Sequence, residues 1–333
     1  MYMKRVLIIK TSSLGDVIHA LPVINDIQSQ FANAQIDWVV EETFADVPRL
    51  HTGVNQVFTV AMRRWRKAIF SQNTWAEIAA FKQLIQQKRY DLIIDAQGLL
   101  KSALITKQAN GVKHGFDKYS IREPLASCFY DVKHAISYQQ HAVTRNRTLA
   151  ALSLGYTPPN NAPDYGIQVI NSNINNAPER PVDIGVQGDY IIALHATSRD
   201  SKLWPTENWV DLGNNLTQQG LSLLLPWSSE AEFKRANQIA SQLQNAKVLP
   251  KLSIAQIACV ISQAKAAIGV DTGLSHLAAA LSVPTIAIYT DTNPALTGVM
   301  AGTKAKVVNL GNKNEAPKVA SVIDSLATLG VKI

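Results

Sequence analysis

The sequence predicts an α/β protein made of two doubly wound parallel-sheet lobes, and three observations carry that prediction. Short apolar runs alternate with segments of helical periodicity from the first residues, the pattern of βαβ units feeding a parallel sheet. The alternation breaks once, between Gly155 and Gly188, where five prolines and many asparagines replace apolar periodicity, and then resumes. The chain has 333 residues, more than one hydrophobic core usually organises. The expected division is a first lobe over 1–160, a linker over 161–188 and a second lobe over 189–333, with a cleft between the lobes.

The elements follow in order. Val6–Lys10 is a short apolar run ended by Thr-Ser-Ser-Leu-Gly, a buried first strand. Val17, Leu21, Ile24, Ile27 and Phe31 then recur at helical spacing, with Pro22 expected to kink or restart the helix. Ile36–Val40, Gln56–Val60 and Tyr90–Asp95 read as strands; Trp75–Lys88 and Gln140–Leu154 read as helices. In the second half the strands are Tyr190–Leu194, Leu221–Leu225, Lys247–Leu249, Ala266–Val270 and Thr285–Tyr289. Helices separate them near Thr206–Gln219, Glu230–Gln244, Ser253–Ala264 and Gly273–Leu281. In such sheets ligands gather at the carboxyl ends of the strands, so the strand-terminal loops are where function is sought.

Composition narrows the classes. The apolar run Val6–Ile9 is too short for a signal peptide, and no stretch approaches a membrane span, so a cytoplasmic protein is expected. Cys128 and Cys259 stand far apart with no motif around them, which suggests neither a disulfide framework nor a zinc site. The net charge of +7 lies wholly in residues 1–155, with 19 basic and 12 acidic residues; the remainder holds 13 of each. That asymmetry favours a polyanionic partner for the first half over an ordinary solvated face. The fingerprints G-x-G-x-x-G and G-x-x-x-x-G-K-[ST] are both absent, which argues against a dinucleotide dehydrogenase and a P-loop NTPase.

Five loops carry the candidate chemistry. In Thr11-Ser12-Ser13-Leu14-Gly15-Asp16 the acid lands at a helix N-terminus, either as a reactive group or as a cap. In Val270-Asp271-Thr272-Gly273-Leu274-Ser275-His276 a tight turn opens a helix whose first amides suit a diphosphate, with His276 one turn on. His195–Pro205 supplies Thr197, Ser198 and Lys202 for phosphate oxygens, with Trp204-Pro205 anchoring the loop. Pro226–Glu232 offers Glu230 and Glu232 to ribose hydroxyls, or as ordinary first-turn acids. Arg63-Arg64-Trp65-Arg66-Lys67 is the densest cationic run, suited to an anionic sugar or phosphate; nucleic-acid binding is the weaker alternative.

Taken together and in order, eight segments resemble glycosyltransferase family 9 over nearly the whole chain. They are KTSSLGDVIHALP at Lys10–Pro22, WVVEE at Trp38–Glu42, RRWRKA at Arg63–Ala68 and DAQGLLKSA at Asp95–Ala103, then GVKHGFD at Gly111–Asp117, REPLAS at Arg122–Ser127, HATSRDSKLWP at His195–Pro205 and VDTGLSHL at Val270–Leu277. RRWRKA and DAQGL tilt the resemblance towards the branch that adds the first inner-core heptose of lipopolysaccharide; the branch adding the second shares the S-x-G-D and D-T-G-x-x-H elements and is the alternative. The resemblance implies a GT-B fold of two Rossmann-like lobes, acceptor on the first and nucleotide donor on the second. It implies inverting transfer from ADP-L-glycero-β-D-manno-heptose to a Kdo residue of Kdo–lipid A. No cofactor, metal or nucleic acid is implied, and a monomer peripheral to the cytoplasmic face of the inner membrane is expected. Asp16 matches the general base. Thr197, Ser198, Lys202, Glu232, Asp271, Thr272, Gly273 and His276 match donor contacts, and Lys10, Ser13, Arg63, Arg64, Arg66, Lys67 and Arg122 match the acceptor side. Ser198 stands where threonine is expected, and Thr290-Asp291-Thr292-Asn293 replaces an expected glycine-containing turn. A sugar-nucleotide epimerase of the same fold is a competing reading that needs no Arg63–Lys67 cluster; a periplasmic-type sugar-binding protein is a second.

Overall fold

In the computed structural model, which describes residues 4–169, Gly185 and 188–331, the chain divides into compact units of Met1–Gly166 and Ile167–Ile333. The first unit is built on six strands: β1 (Arg5–Ile9), β2 (Gln35–Glu41), β3 (Val54–Val60), β4 (Arg89–Asp95), β5 (Asn110–Phe116) and β6 (Val132–His134). All pair in parallel, in the order β3-β2-β1-β4-β5-β6. β1 is central and buried on both faces, which is why its sequence is an unbroken apolar run rather than an alternating one. The expected restart at Pro22 is present: α1 (Leu14–Ala20) ends and α2 (Pro22–Gln30) begins with proline at its first position, where no amide is needed. The short helices α3 (Asp46–Arg49) and α4 (Met62–Lys67), then α5 (Gln72–Gln86), α6 (Leu100–Gln108) and α7 (Ala142–Leu154), complete the unit. Leu7, Ile9, Val39, Phe58, Ile93 and Trp65 form one of its cores. On α5 Leu84 is exposed, whereas its neighbour Ile85 is fully buried.

The second unit repeats the plan. β7 (Tyr190–Leu194), β8 (Ser222–Leu225), β9 (Ala246–Val248), β10 (Ala266–Val270), β11 (Thr285–Tyr289) and β12 (Val307–Gly311) form a parallel sheet ordered β12-β11-β10-β7-β8-β9. Counted from its own first strand, this is the same order as in the first unit. Between the strands run α8 (Thr206–Gln218), α9 (Glu230–Ala240), α10 (Ile254–Ser262), α11 (Gly273–Ala280) and α12 (Pro294–Thr297), with α13 (Val319–Thr328) last. Trp204 and Trp209 are fully buried and meet edge to face at 5.1 Å in its core. Gly269 is required where α11 closes on the sheet: a Cβ there would collide with Ser275 Oγ and crowd Leu194.

Most of the expected linker, 161–188, lies outside the described residues. Its first part packs on the first unit: the Arg147 guanidinium donates to Asn161 O at 2.7 Å while pairing with buried Asp26, and Tyr165 is buried. Among the described residues no helix is long and apolar enough to cross a membrane.

Candidate functional site

Both candidate sites are assembled from loops at the carboxyl ends of parallel strands. In the first unit the loop after β1 is braced from beneath by the loop after β4. Asp95, fully buried at the end of β4, accepts from the amides of Gln97 and Gly98 and from the Tyr130 hydroxyl at 2.8 Å. Gly98 takes the left-handed conformation this turn needs, at φ +69°. The turn aims Gln97 back, so that Oε1 accepts from the Thr11 and Ser12 amides, each at 3.0 Å. Lys10 is buried under the same loop, with Nζ donating to Ala96 O at 2.7 Å, and Trp38 Nε1 donates to Lys10 O. Burial holds the Lys10 pKa below the usual lysine range, against the pull of Asp16 and Asp95, and burial raises that of Asp95.

On this braced loop Ser13 donates to Asp16 from both its amide, at 2.8 Å, and its hydroxyl, at 2.9 Å. Both bonds fall on Oδ2 of a half-buried carboxylate, so capping of α1 and orientation of the acid are one arrangement. Lys101, in the first turn of α6, donates to Ser12 Oγ at 2.8 Å; burial lowers its pKa, against the pull of Glu41 and Glu123 and with smaller help from Arg63 and Arg66.

The cationic run forms α4. Glu41, buried at the end of β2, accepts from the amides of Met62 and Arg63 and so closes the helix N-terminus. Trp65 turns into the core, with its indole N–H on Glu77 at 2.6 Å. The four cations then separate. Arg64 is bound by two carboxylates, forked on Glu42 and 2.8 Å from Glu77. Arg63 stacks over Phe44 at 5.2 Å, while Arg66 and Lys67 stand exposed. Arg122 is also exposed, on the loop after β5.

In the second unit β7 and β10 are neighbours at the point where the strand order reverses, so the loops following them face each other. Thr197 Oγ1 donates to Asp271 O at 2.8 Å, and Lys202 Nζ lies 2.6 Å from Asp271 Oδ2, which also accepts from Thr292 Oγ1 at 2.7 Å. Thr272 begins α11 without a side-chain cap, so the first amides of that helix and its dipole are open to an anion. Ser201 joins the segment after β11 by donating to Asp291 and accepting from Thr290. That segment therefore joins the loops after β7 and β10 through hydroxyls where a glycine turn was expected. His276 is buried on α11 and Ser198 is exposed. Glu232 folds back on its own loop, with Oε2 accepting from the Ser228 amide and hydroxyl; this is the geometry of a first-turn helix acid.

Thr197, Lys202, Asp271, Thr272 and Gly273 are thus brought together, as are Lys10, Ser13 and Asp16. Sequence reasoning missed the supports: Gln97, Asp95 and Lys101 in the first unit, Thr292 and Arg235 in the second. Arg235, on α9, donates to His195 O, Thr206 Oγ1 and Trp204 O and so staples both ends of the His195–Pro205 loop. Its one signal is a cation three residues after Glu232 on an amphipathic helix. No group of three or more His, Cys, Asp or Glu residues is placed to hold a metal among the described residues.

Comparison with known proteins bears on this geometry. The model of the family described as Glycosyltransferase family 9 (heptosyltransferase) matches residues 78–325. Lipopolysaccharide heptosyltransferase 1 of Escherichia coli (strain K12) is 46% identical over 327 residues, spanning 96% of this chain and 100% of that protein. The solved structure of E. coli heptosyltransferase WaaC with ADP superposes with a TM-score of 0.86 at 45% identity, over 97% of this chain and 99% of that one. The same enzyme with ADP-2-deoxy-2-fluoro heptose gives 0.83 at 44% identity over 97% and 99%.

Proposed function

The chain belongs to glycosyltransferase family 9, the heptosyltransferases, and from that membership we propose that it moves heptose from ADP-heptose to a Kdo residue of Kdo–lipid A, the first heptose addition of the lipopolysaccharide inner core. The observation that carries the mechanism is the Asp16 carboxylate, oriented through one oxygen by Ser13 on a loop braced from below. Two Ser13 bonds on Oδ2 leave Oδ1 as the oxygen that takes a proton from a Kdo hydroxyl. That hydroxyl oxygen bonds to the anomeric carbon from the face opposite ADP, the bond from that carbon to the diphosphate breaks, and its electron pair leaves with ADP. Configuration inverts in one displacement.

Charge grows on the departing diphosphate, and the second unit supplies what meets it. Asp271 holds the Lys202 ammonium beside the uncapped start of α11, and Thr197 and Thr292 fix Asp271 in turn. Preorganised donors of this kind stabilise a leaving anion without reorganising during the reaction. On the acceptor side, Arg63, Arg66, Lys67 and Arg122 meet the acidic sugar, with Lys101 closer to Asp16 through Ser12.

Mass spectrometry of Kdo–lipid A incubated with the enzyme and ADP-heptose tests the reading. The expected product carries one added heptose, and an acceptor already bearing that heptose gains none. Hydrolysis or epimerisation of ADP-heptose without transfer would overturn it.

A further inference from the structure

The carboxyl edge of the first sheet carries two apolar tips that the reaction does not use. After α4, Ser71 N donates to Ala68 O and closes a turn with Ile69 and Phe70 at its apex; the Trp75 indole donates to Ile69 O at 2.8 Å and holds the turn open to solvent. Phe70 is 99% exposed, with Ile69 and Trp75 also exposed beside it. The second tip follows β5, where Tyr119 is 81% and Leu125 68% exposed, and the Lys118 ammonium lies over the Tyr119 ring at 4.7 Å. Each tip has its own exposed cations, Arg66 and Lys67 at the first, Lys118 and Arg122 at the second.

Topology puts both tips on one edge. β3 lies two strands to one side of β1 and β5 two strands to the other, all parallel, so the strand ends that launch the tips are ~20 Å apart with the Asp16 loop between them. An exposed aromatic has no folding reason to be there, and aromatics flanked by cations match the headgroup layer, where rings sit at the boundary and cations meet lipid phosphates.

We propose that this edge docks on an anionic bilayer surface, with Ile69, Phe70, Tyr119 and Leu125 entering the headgroup region on either side of Asp16. A second copy is the poorer occupant, because a two-fold contact would set the same cations against themselves. The proposal deepens the reading of a lipid-borne acceptor and rests on it for its purpose, but its test needs no turnover.

The experiment is flotation of the full chain with vesicles of phosphatidylethanolamine and phosphatidylglycerol, against vesicles of phosphatidylcholine. The protein is expected to float with the anionic vesicles and to be released by salt. Phe70→Ser and Leu125→Ser should each lower the partition coefficient about tenfold, the equivalent of withdrawing a large apolar side chain from lipid. Both should leave the melting temperature and transfer to a deacylated acceptor unchanged. Brominated acyl chains should quench tryptophan fluorescence, and Trp75→Phe should remove most of that quenching. Absence of vesicle binding, or binding indifferent to both serine variants, overturns the proposal. So does self-association in solution that the same variants abolish, which would make the edge a dimer face. Vesicle binding with no transfer in any assay would sink the proposed reaction and leave this docking surface standing.

Discussion

The two units have the same strand order and put their chemistry at the same edge, yet they are charged in different ways. The first unit gathers side-chain charge: four cations in α4, Lys101 beside Ser12, and one oriented acid. The second is close to neutral in sequence and relies on a helix start, two threonines and one ammonium already paired with Asp271. A flexible, extended acidic ligand is best steered by mobile surface cations, which act over a Debye length of about 8–10 Å. A compact diphosphate is best held by fixed amides at one spot. One fold serves both because its loops, not its core, set the local field.

The largest effect that tests this contrast is at Asp16. Asp16→Ala should lower turnover by about 10²–10⁴ while calorimetric ADP affinity stays within about twofold, because Asp16 is hydrogen-bonded to Ser13 and to none of the groups proposed to hold the diphosphate. A variant with near-wild-type turnover would remove the division of labour. Next comes Lys202→Ala, which should weaken ADP-heptose binding by about 10–100-fold, the scale of losing a hydrogen bond to a charged group. Part of that loss reflects leaving the Asp271 carboxylate without its cation, with Thr292 alone still bonded to it, so a cycle with Asp271→Ala should recover some of it. Additive losses would mean that the pair does not act as a unit.

A smaller effect is expected on the acceptor side. Neutralising Arg63, Arg66 and Lys67 should raise the KM for Kdo–lipid A several-fold and flatten its salt dependence, with donor affinity unchanged. Arg64→Gln is the sharper control: its guanidinium is held by Glu42 and Glu77, which raise its pKa further. It should lower the melting temperature and leave that KM alone. Equal kinetic effects at Arg64 and Arg66 would show that the run acts as undifferentiated charge.

The smallest effect concerns stability. His51 and His114 in the first unit and His195 in the second are each shifted by burial from 6.5 to about 4. Between those values the unfolded chain binds protons that the folded chain refuses, so stability rises with pH through the window and is lost as pH falls below 6.5. Urea midpoints followed from pH 7 to 4.5 should fall, and His51→Gln should reduce the slope. A flat profile would mean that these rings keep ordinary titration in the fold.

Much of the candidate site was legible because it is local. Asp16 with Ser13 spans three residues, and the turn from Asp271 into α11 spans two, so a single strand-turn-helix pattern exposes each. The supports were not legible, because they are distant. Lys10 meets Ala96 across 86 positions, Asp95 meets Tyr130 across 35, and Arg235 reaches Trp204 across 31. The same distance hid the loss of Arg64, whose partner Glu77 lies 13 residues on. Several elements escaped for weaker signals: β5 (NGVKHGF) breaks its alternation with glycine, β6 has three residues, α6 mixes lysines into its apolar face, β12 ends in Asn-Leu-Gly, and α3 and α12 have four residues each. α13 was also missed, although Val319, Val322, Ile323 and Leu326 recur at helical spacing.

What the sequence determined by itself was the class of fold, the loops proposed to carry the chemistry and the family, since periodicity and short motifs are properties of neighbours along the chain. Only the tertiary structure decided which charges are free to act. Of the basic run it commits Arg64 to two carboxylates, stacks Arg63 on Phe44 and leaves Arg66 and Lys67 exposed. It buries Lys10, turns Glu232 onto Ser228 and ties Lys202 to Asp271. A side chain's charge is written in its own residue, but its availability depends on the partners and the water that folding leaves around it.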